Sequence, residues 1–338
     1  MYYLSMNSLD IRTNLATEEY LLNKWDKQEP LILFYIQKPS IIIGRNQDYY
    51  AELNLPYVLK EQITVTRRLS GGGTVYDDLG NLSYSIVTQK GRAFGNFKEL
   101  TQPILTALQQ LGVQANLTGR NDLIVEGRKF SGNAMYQKGT KLFCHGTLMY
   151  DVNLAVLPQA LSVFPEKLKA NNVRSVRSRV TNLKPYLTTC YQQTTAEFRD
   201  LLLCQLFAVS DLQMIQEKQY QLTSYDKSQI QSLVTSRYSN PHWIQGNHQL
   251  ATYTVKQRFP IGTIEVRFEL SDRRLHQVHF YGDFFNQETP TDLEKALEQA
   301  PYELTALTDL LKTFDLSRYF GPVSAIELAN LIYKEPQL

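Results

Sequence analysis

Cysteine is scarce in this chain. Only Cys144, Cys190 and Cys204 occur in 338 residues, and no two form a C-x-x-C pair. That excludes a disulfide framework and a cysteine-based zinc site, and it points to a reducing compartment. Long apolar runs are missing too. No stretch reaches the roughly 20 residues a membrane-spanning helix needs, and Met1-Tyr2-Tyr3-Leu4-Ser5-Met6-Asn7 has neither the basic patch nor the apolar run of a secretory leader. Nor is there an excess of one charge: 35 basic and 33 acidic residues leave a net +2, so bulk attraction to nucleic acid is excluded. A cytoplasmic protein that engages neither membrane nor nucleic acid is expected. What remains is ordinary for a globular chain, 43% hydrophobic and 20% charged, with length for two or three domains and no internal repeat.

Hydrophobic periodicity orders the chain. Residues 14–25 read as an amphipathic helix, with Asn14 as N-cap and Leu15, Glu18, Glu19, Leu22 and Trp25 at helical spacing. Leu31–Ile36 and Ile41–Ile43 read as consecutive strands separated by Pro39, and Ile63–Thr66 as a strand leading into a glycine run. Leu82–Val87 reads as its return strand. Thr101 is the expected cap of a helix carrying Ile104, Leu105, Leu108 and Leu111, stopped by Gly112. Residues 122–126 and 142–150 look like a strand pair, and Val152–Leu161 like a helix. Thr194 and Glu197 form a capping-box pattern. The stretch from about 210 to 250 is polar, and a boundary is placed at Gly246-Asn247: residues 1–246 a catalytic domain, 247–338 an accessory one. In the latter, Thr263–Leu270 alternates as a half-buried strand does, Leu275–Phe280 is its hairpin partner, and Thr291/Glu294 and Ser324/Glu327 open helices around a Leu304, Leu307, Leu310, Leu311 face.

The chemistry-bearing residues are individually weak signals. Gly71-Gly72-Gly73 lets the backbone approach a ligand closely and turn N–H groups onto phosphate oxygens. It is neither a P-loop nor a dinucleotide fingerprint, because no Gly-Lys-Ser/Thr and no third spaced glycine follow. Alone it reads as a hairpin turn; behind Arg67 and Arg68, whose forked guanidinium groups suit phosphate or carboxylate, it reads as an anion site. Lys129, after turn glycine Gly127 and before Ser131-Gly132, suits a point charge aimed at a phosphoryl group. Asp122 suits magnesium, which takes one or two carboxylates plus substrate phosphates. For these two, a turn lysine and a turn cap are the competing readings. His145 is either a satisfied core histidine or a site residue. Cys144 beside it points to the opposite side of a strand, so the two cannot pair as nucleophile and base. Arg174, Arg177 and Arg179 form a basic run facing a phosphate tail, an acidic partner or solvent.

Taken together and in order, these segments resemble the lipoate–protein ligase family over nearly the whole chain. The most specific piece is Arg67-Arg68-Leu69-Ser70-Gly71-Gly72-Gly73-Thr74-Val75-Tyr76-Asp77-Asp78-Leu79-Gly80-Asn81. Gly119-Arg120-Asn121-Asp122, Lys129-Phe130-Ser131-Gly132-Asn133-Ala134, His145-Gly146-Thr147-Leu148 and Val176–Asn182 follow with matching spacing. Asn14-Leu15-Ala16-Thr17-Glu18-Glu19-Tyr20 and Ile43-Gly44-Arg45-Asn46-Gln47 look like the family's first helix and second strand, and Tyr281-Gly282-Asp283-Phe284-Phe285 like its accessory domain.

The resemblance implies an α+β fold, a biotin/lipoate ligase-like catalytic domain of mixed sheets flanked by helices plus a small α+β C-terminal domain. It implies that lipoate and ATP, the latter as its Mg2+ complex, give lipoyl-AMP. The acyl group then passes to a lysine of the lipoyl carrier domains of 2-oxoacid dehydrogenase or glycine cleavage complexes. By match, Arg68, Gly73, Thr74, Val75, Tyr76, Lys129 and Asp122 would serve ATP, and Asp122 its metal. Lys129, Ser70, Gly71, Gly72 and His145 would serve lipoate, with Lys129 catalytic; Ile42, Leu69 and Val75 would line an apolar slot. Two positions depart from the family: Asp77 stands where it usually has His, and Cys144 where it often has His or Thr. An acyl transferase working through a Cys144 thioester and a non-catalytic binding module are the alternatives.

Overall fold

The computed structural model describes residues 1–89, 94–161, 179–188, 191 and 193–333. Arg174, Arg177 and Cys190 lie outside the described residues. Two units emerge: one of Met1–Ile42, Glu52–Arg67 and Val75–Ile244, the other of Ile43–Ala51, Arg68–Thr74 and Gln245–Leu338.

The first unit is built on a seven-stranded sheet. In chain order its strands are β1 (Tyr2–Ser5), β2 (Leu31–Tyr35), β6 (Asn81–Thr88), β7 (Ala115–Thr118), β8 (Asp122–Val125), β9 (Arg128–Lys138) and β10 (Lys141–Met149), arranged β1-β2-β6-β10-β9-β8-β7. Only β1 and β2 run parallel. Three shorter strands, β3 (Ser40–Ile43), β4 (Thr64–Arg67) and β5 (Val75–Asp77), make a second sheet of order β4-β3-β5. The two expected strands around Pro39 therefore exist but belong to different sheets, and the return strand of the glycine run is β5 rather than β6. Segments 122–126 and 142–150 are strands that do not pair with each other. Both pair with β9, whose polar, glycine-containing sequence reads locally as a turn.

Helices cover both faces of the large sheet. Helix α1 (Ile11–Lys24) starts earlier than expected. Asp10 is its N-cap, accepting from Arg12 N at 2.9 Å, and Asn14 lies inside the helix, fully buried. Helix α2 (Phe97–Gln110) is likewise capped by Asn96, whose side chain accepts from Glu99 N; Thr101 sits inside and donates its hydroxyl to Phe97 O. Helix α3 (Thr195–Phe207) has the expected capping box between Thr194 and Glu197. Only Leu157–Ala160 of the stretch 152–161 is α-helical.

On one face of the sheet Ile32, Phe34, Leu82, Tyr84, Ile86 and Leu148 meet Ile104, Leu105 and Leu108 of α2 and Phe198, Leu202 and Leu203 of α3 in a single apolar core. Helix α1 crosses the other face over β6 and β10. It is held there by helix α4 (Ser224–Leu233) and the π-helical turn after it. Asp226 accepts from Tyr20 and Lys24, and Glu19 from Arg237 and Tyr238. The polar 210–250 stretch is thus largely helical and tied down by ion pairs and hydrogen bonds to buried carboxylates.

The second unit carries a three-stranded antiparallel sheet, β11 (Tyr253–Phe259), β12 (Gly262–Ser271) and β13 (Arg274–Gly282). Alternation in β12 buries Ile264, Val266 and Phe268. They pack with Leu275, Val278 and Phe280 of β13 and with helices α5 (Thr291–Leu297), α6 (Leu304–Leu311) and α7 (Ala325–Ile332). Ser324 and Glu327 make their capping box, whereas Pro290 occupies the N-cap of α5 and Glu294 accepts instead from Phe280 N at 2.9 Å. Mixed sheets flanked by helices, with a smaller α+β unit, is the expected α+β architecture. No helix among the described residues is long and apolar enough to cross a membrane.

Candidate active site

Lys129 is the second residue of β9, where the β8–β9 ladder shifts register between Leu123 and Ile124. Its amine lies 2.8 Å from Asp122 Oδ1, with both side chains more than a third exposed. Such an exposed pair contributes between zero and about 1 kcal/mol, so an incoming phosphate can displace it at little cost. Beneath the amine is Gly132: a Cβ there would lie 3.0 Å from Lys129 Nζ. Gly132 N donates to Thr147 Oγ1 at 3.4 Å, and the Lys129 carbonyl accepts from Thr181 N at 2.9 Å.

Beyond the lysine the sheet face under α1 is lined by small and polar side chains. Ser83 and Ser85 of β6 stand opposite Thr147 and His145 of β10, and Ala134 of β9 opposite His145 on the other side. His145 Nδ1 is 2.9 Å from Glu18 Oε2, and the Tyr35 hydroxyl donates to Glu18 Oε1 at 2.9 Å. Glu18 is 1% exposed. Burial and then the Glu18 charge push the Tyr35 phenol well above its ordinary pKa, so it remains a donor. Around this cluster Ser85 Oγ, Asn81 Oδ1, Gln37 Oε1 and both amide atoms of Asn14 are buried without a hydrogen-bond partner among the described residues. Asn14 is one helical turn before Glu18 on the same flank of α1. Buried polar atoms are almost always satisfied, so this face is built to receive water or a polar ligand. Sequence reasoning missed Glu18 and Tyr35 as site residues; the available signal was a carboxylate inside the apolar stripe of α1.

The neighbouring positions sort clearly. Cys144 faces the apolar core and is fully buried, and burial, then the Glu18 charge, raises its thiol pKa strongly. It is not a poised nucleophile. Asp77, the departure from the family pattern, is 1% exposed and accepts from Gln37 Nε2 at 2.6 Å. Val75 and Ile42 are register partners across β5 and β3, and Tyr76 is buried with its hydroxyl toward Asp78. Arg67 donates from Nε to the carbonyls of Trp243 and Ile244, which ties it to the short helix Pro241–Gln245.

Arg68, Leu69, Ser70, Gly71, Gly72, Gly73 and Thr74 belong to the second unit. Arg68 Nε donates to Ser70 Oγ (3.0 Å), and one of its terminal nitrogens to the carbonyls of Gly71 (2.7 Å) and Gly73 (2.8 Å). The guanidinium shapes the loop by drawing carbonyls inward. Arg45 N donates to Ser70 O, Arg68 N to Ile43 O, and Thr74 Oγ1 to Gln47 Oε1. The three glycines differ. A Cβ on Gly71 would sit 2.1 Å from Phe284 O; Gly72 has φ +90°; a Cβ on Gly73 would meet nothing within 4 Å. Protein geometry explains the first two, whereas the space around Gly73 is open.

Among the described residues there is no cluster of three or more His, Cys, Asp or Glu side chains that could hold a metal ion. Arg179, the described member of the basic run, is exposed, and Asn182 exchanges hydrogen bonds with the Val152 backbone.

Two family models match successive parts of the chain. Residues 10–207 match the family model for the lipoyl protein ligase A/B catalytic domain, and residues 250–332 that for the bacterial lipoate protein ligase C-terminus. The lipoate-protein ligase LplJ of Bacillus subtilis (strain 168) is 39% identical over 330 residues, 97% of this chain and 98% of the relative. In fold the chain is similar to P. falciparum LipL1, solved in complex with lipoate, with TM-score 0.77 at 19% identity over 99% of both chains. It is also similar to a bi-partite lipoate protein ligase from Thermoplasma acidophilum, described with its E2 lipoyl domain, with TM-score 0.64 at 24% identity over 75% of this chain and 98% of that one.

Proposed function

The chain belongs to the lipoate–protein ligase family, and from that premise we propose that Lys129 is the residue on which its chemistry turns. The protein is an ATP-dependent lipoate–protein ligase, with lipoate and ATP as substrates. In the first half-reaction a lipoate carboxylate oxygen attacks the α-phosphorus of ATP, forming the acyl–phosphate bond and releasing pyrophosphate. In the second, a lysine amine of a carrier attacks the acyl carbonyl, the amide forms and AMP leaves.

Two anions must meet in the first step, and the cost lies in their repulsion. The Lys129 ammonium offsets it, exchanging Asp122 for the α-phosphate and the lipoyl carboxylate. Arg68 and the backbone of Gly73, Thr74, Val75 and Tyr76 bind the nucleotide, Ser70, Gly71 and Gly72 flank the lipoyl group, and His145, oriented by Glu18, faces the acyl chain. Leu69, Ile42 and Val75 supply apolar surface. Asp122 is the residue that would hold the Mg2+ of the ATP complex, which would offset phosphate charge, in keeping with that ion's use of one or two carboxylates plus phosphates. The carrier is a lipoyl domain of a 2-oxoacid dehydrogenase or glycine cleavage complex, a reading supported by the E2 lipoyl domain of the Thermoplasma system. Residues 1–246 form the catalytic part and 247–338 an accessory part, acting in the cytoplasm, with neither membrane nor nucleic acid as partner.

The observation that carries this reading is the Lys129 amine on a sheet face where particular buried polar atoms, Ser85 Oγ among them, have no hydrogen-bond partner among the described residues. Lys129→Ala is expected to lower lipoate-dependent ATP–pyrophosphate exchange by at least about 10²–10³, the loss typical of removing one preorganised stabiliser of developing charge. Exchange within tenfold of the parent would refute the assignment.

A further inference from the structure

An amide relay centred on the buried Asn133 lies beside the Lys129–Asp122 pair in the chain. Asn133 N donates to Asn121 O at 3.0 Å, Asn133 Nδ2 to the same carbonyl at 2.9 Å, and Asn121 Nδ2 returns a bond to Asn133 O at 2.6 Å. Asn133 Nδ2 also donates to Ser131 Oγ at 3.3 Å, and its Oδ1 accepts from the Tyr84 hydroxyl. The donors and the acceptor of this side chain are all used, at 2% exposure. Room for it comes from Gly146 on β10, where a Cβ would lie 2.1 Å from Asn133 Oδ1. Burial keeps the Tyr84 phenol far above its ordinary pKa and therefore a donor.

The relay touches both halves of the ion pair through the chain. Asn121 immediately precedes Asp122. Gly132, between Ser131 and Asn133, is the residue over which the Lys129 amine rests. An exposed ion pair holds itself weakly, whereas a fully satisfied buried network is rigid.

We propose that Asn133 is a positioning residue for adenylation, fixing through Asn121 and Gly132 the separation of the Asp122 carboxylate and the Lys129 amine. This rests on the assignment of Lys129 to that step. Misplacing a reacting group by about 1 Å costs on the order of 10² in rate, so the relay acts on kcat rather than on ground-state binding.

Two variants test it. Asn133→Asp is nearly isosteric and still accepts from Tyr84, but it replaces the Nδ2 donors with an oxygen facing Asn121 O and Ser131 Oγ. Asn121→Ala, at the partly exposed end, removes one bond of the relay and decides the matter where Asn133→Asp does not fold. In lipoate-dependent pyrophosphate exchange, kcat is expected to fall roughly 10- to 100-fold, with KM for ATP and for lipoate held within about threefold. An unchanged kcat in a folded variant, or a rise in KM at constant kcat, overturns the proposal. Lys129→Ala run in parallel separates the failures. If it keeps exchange activity, the site reading itself falls; if it loses exchange while the asparagine variants are silent, only the positioning role falls.

Discussion

The two faces of the seven-stranded sheet are made from alternate residues of the same strands, and they have opposite chemistry. Leu82, Tyr84, Ile86, Cys144 and Leu148 point to one side, where α2 and α3 close an apolar core. Ser83, Ser85, His145 and Thr147 point to the other, under α1, where Ser85 Oγ and both amide atoms of Asn14 are buried with no hydrogen-bond partner among the described residues. Period-2 alternation usually separates core from solvent. Here both sides are covered, so the polar side cannot be an ordinary wet surface. One face is an apolar core, and the other keeps polar groups buried at a cost in stability. A substitution on either face should therefore move a different observable.

The largest stability effect belongs to the core face. Leu148→Ala leaves a cavity in a fully buried position and should cost roughly 2–5 kcal/mol, read as a lowered midpoint in urea. The kcat/KM of the folded enzyme should stay within about threefold of the parent. A large kinetic loss with little change in midpoint would erase the distinction between the faces.

On the polar face the balance reverses. His145→Ala leaves Glu18 buried and bonded to the Tyr35 hydroxyl but without the His145 ring, an under-satisfied group that costs about 1–3 kcal/mol. The larger change is kinetic. KM for lipoate should rise about tenfold or more, equivalent to some 1.4 kcal/mol of binding, while KM for ATP holds. Equal movement of both constants would make His145 a structural histidine.

These faces were only partly legible in the sequence. Alternation in Asn81–Thr88 and the opposition of Cys144 to His145 follow from strand geometry alone, and the order of the motifs pointed to the family. The missing piece was β9: Lys129-Phe130-Ser131-Gly132-Asn133-Ala134 has low strand propensity and is a strand because β8 and β10 pair with both its edges. Without β9, Lys129 reads as a turn lysine and the Asn121–Asn133 relay has no register. Asn14 was misplaced for a related reason: an asparagine before an apolar run looks like a cap, and nothing local says that Asp10 caps instead. Gly71 shows the same limit, since its partner Phe284 is more than 200 positions away in the chain.

Cys144 gives the smallest expected effect and the cleanest contrast with its neighbour. Its thiol is fully buried against the core, with its pKa raised by burial, so at neutral pH it is neither accessible nor ionised. A transferase working through a thioester here would need the strand inverted by one residue, which would turn every core side chain of β10 outward. Cys144→Ala should cost on the order of 1 kcal/mol for the lost packing and leave ATP-dependent lipoylation of a carrier domain within about twofold, the rate change that 0.4 kcal/mol produces. Intact-mass measurement of the carrier after incubation with lipoate and ATP checks this directly. A hundredfold loss in a folded Cys144→Ala protein would place chemistry on the core face, and the division between the two sides of the sheet would fail with it.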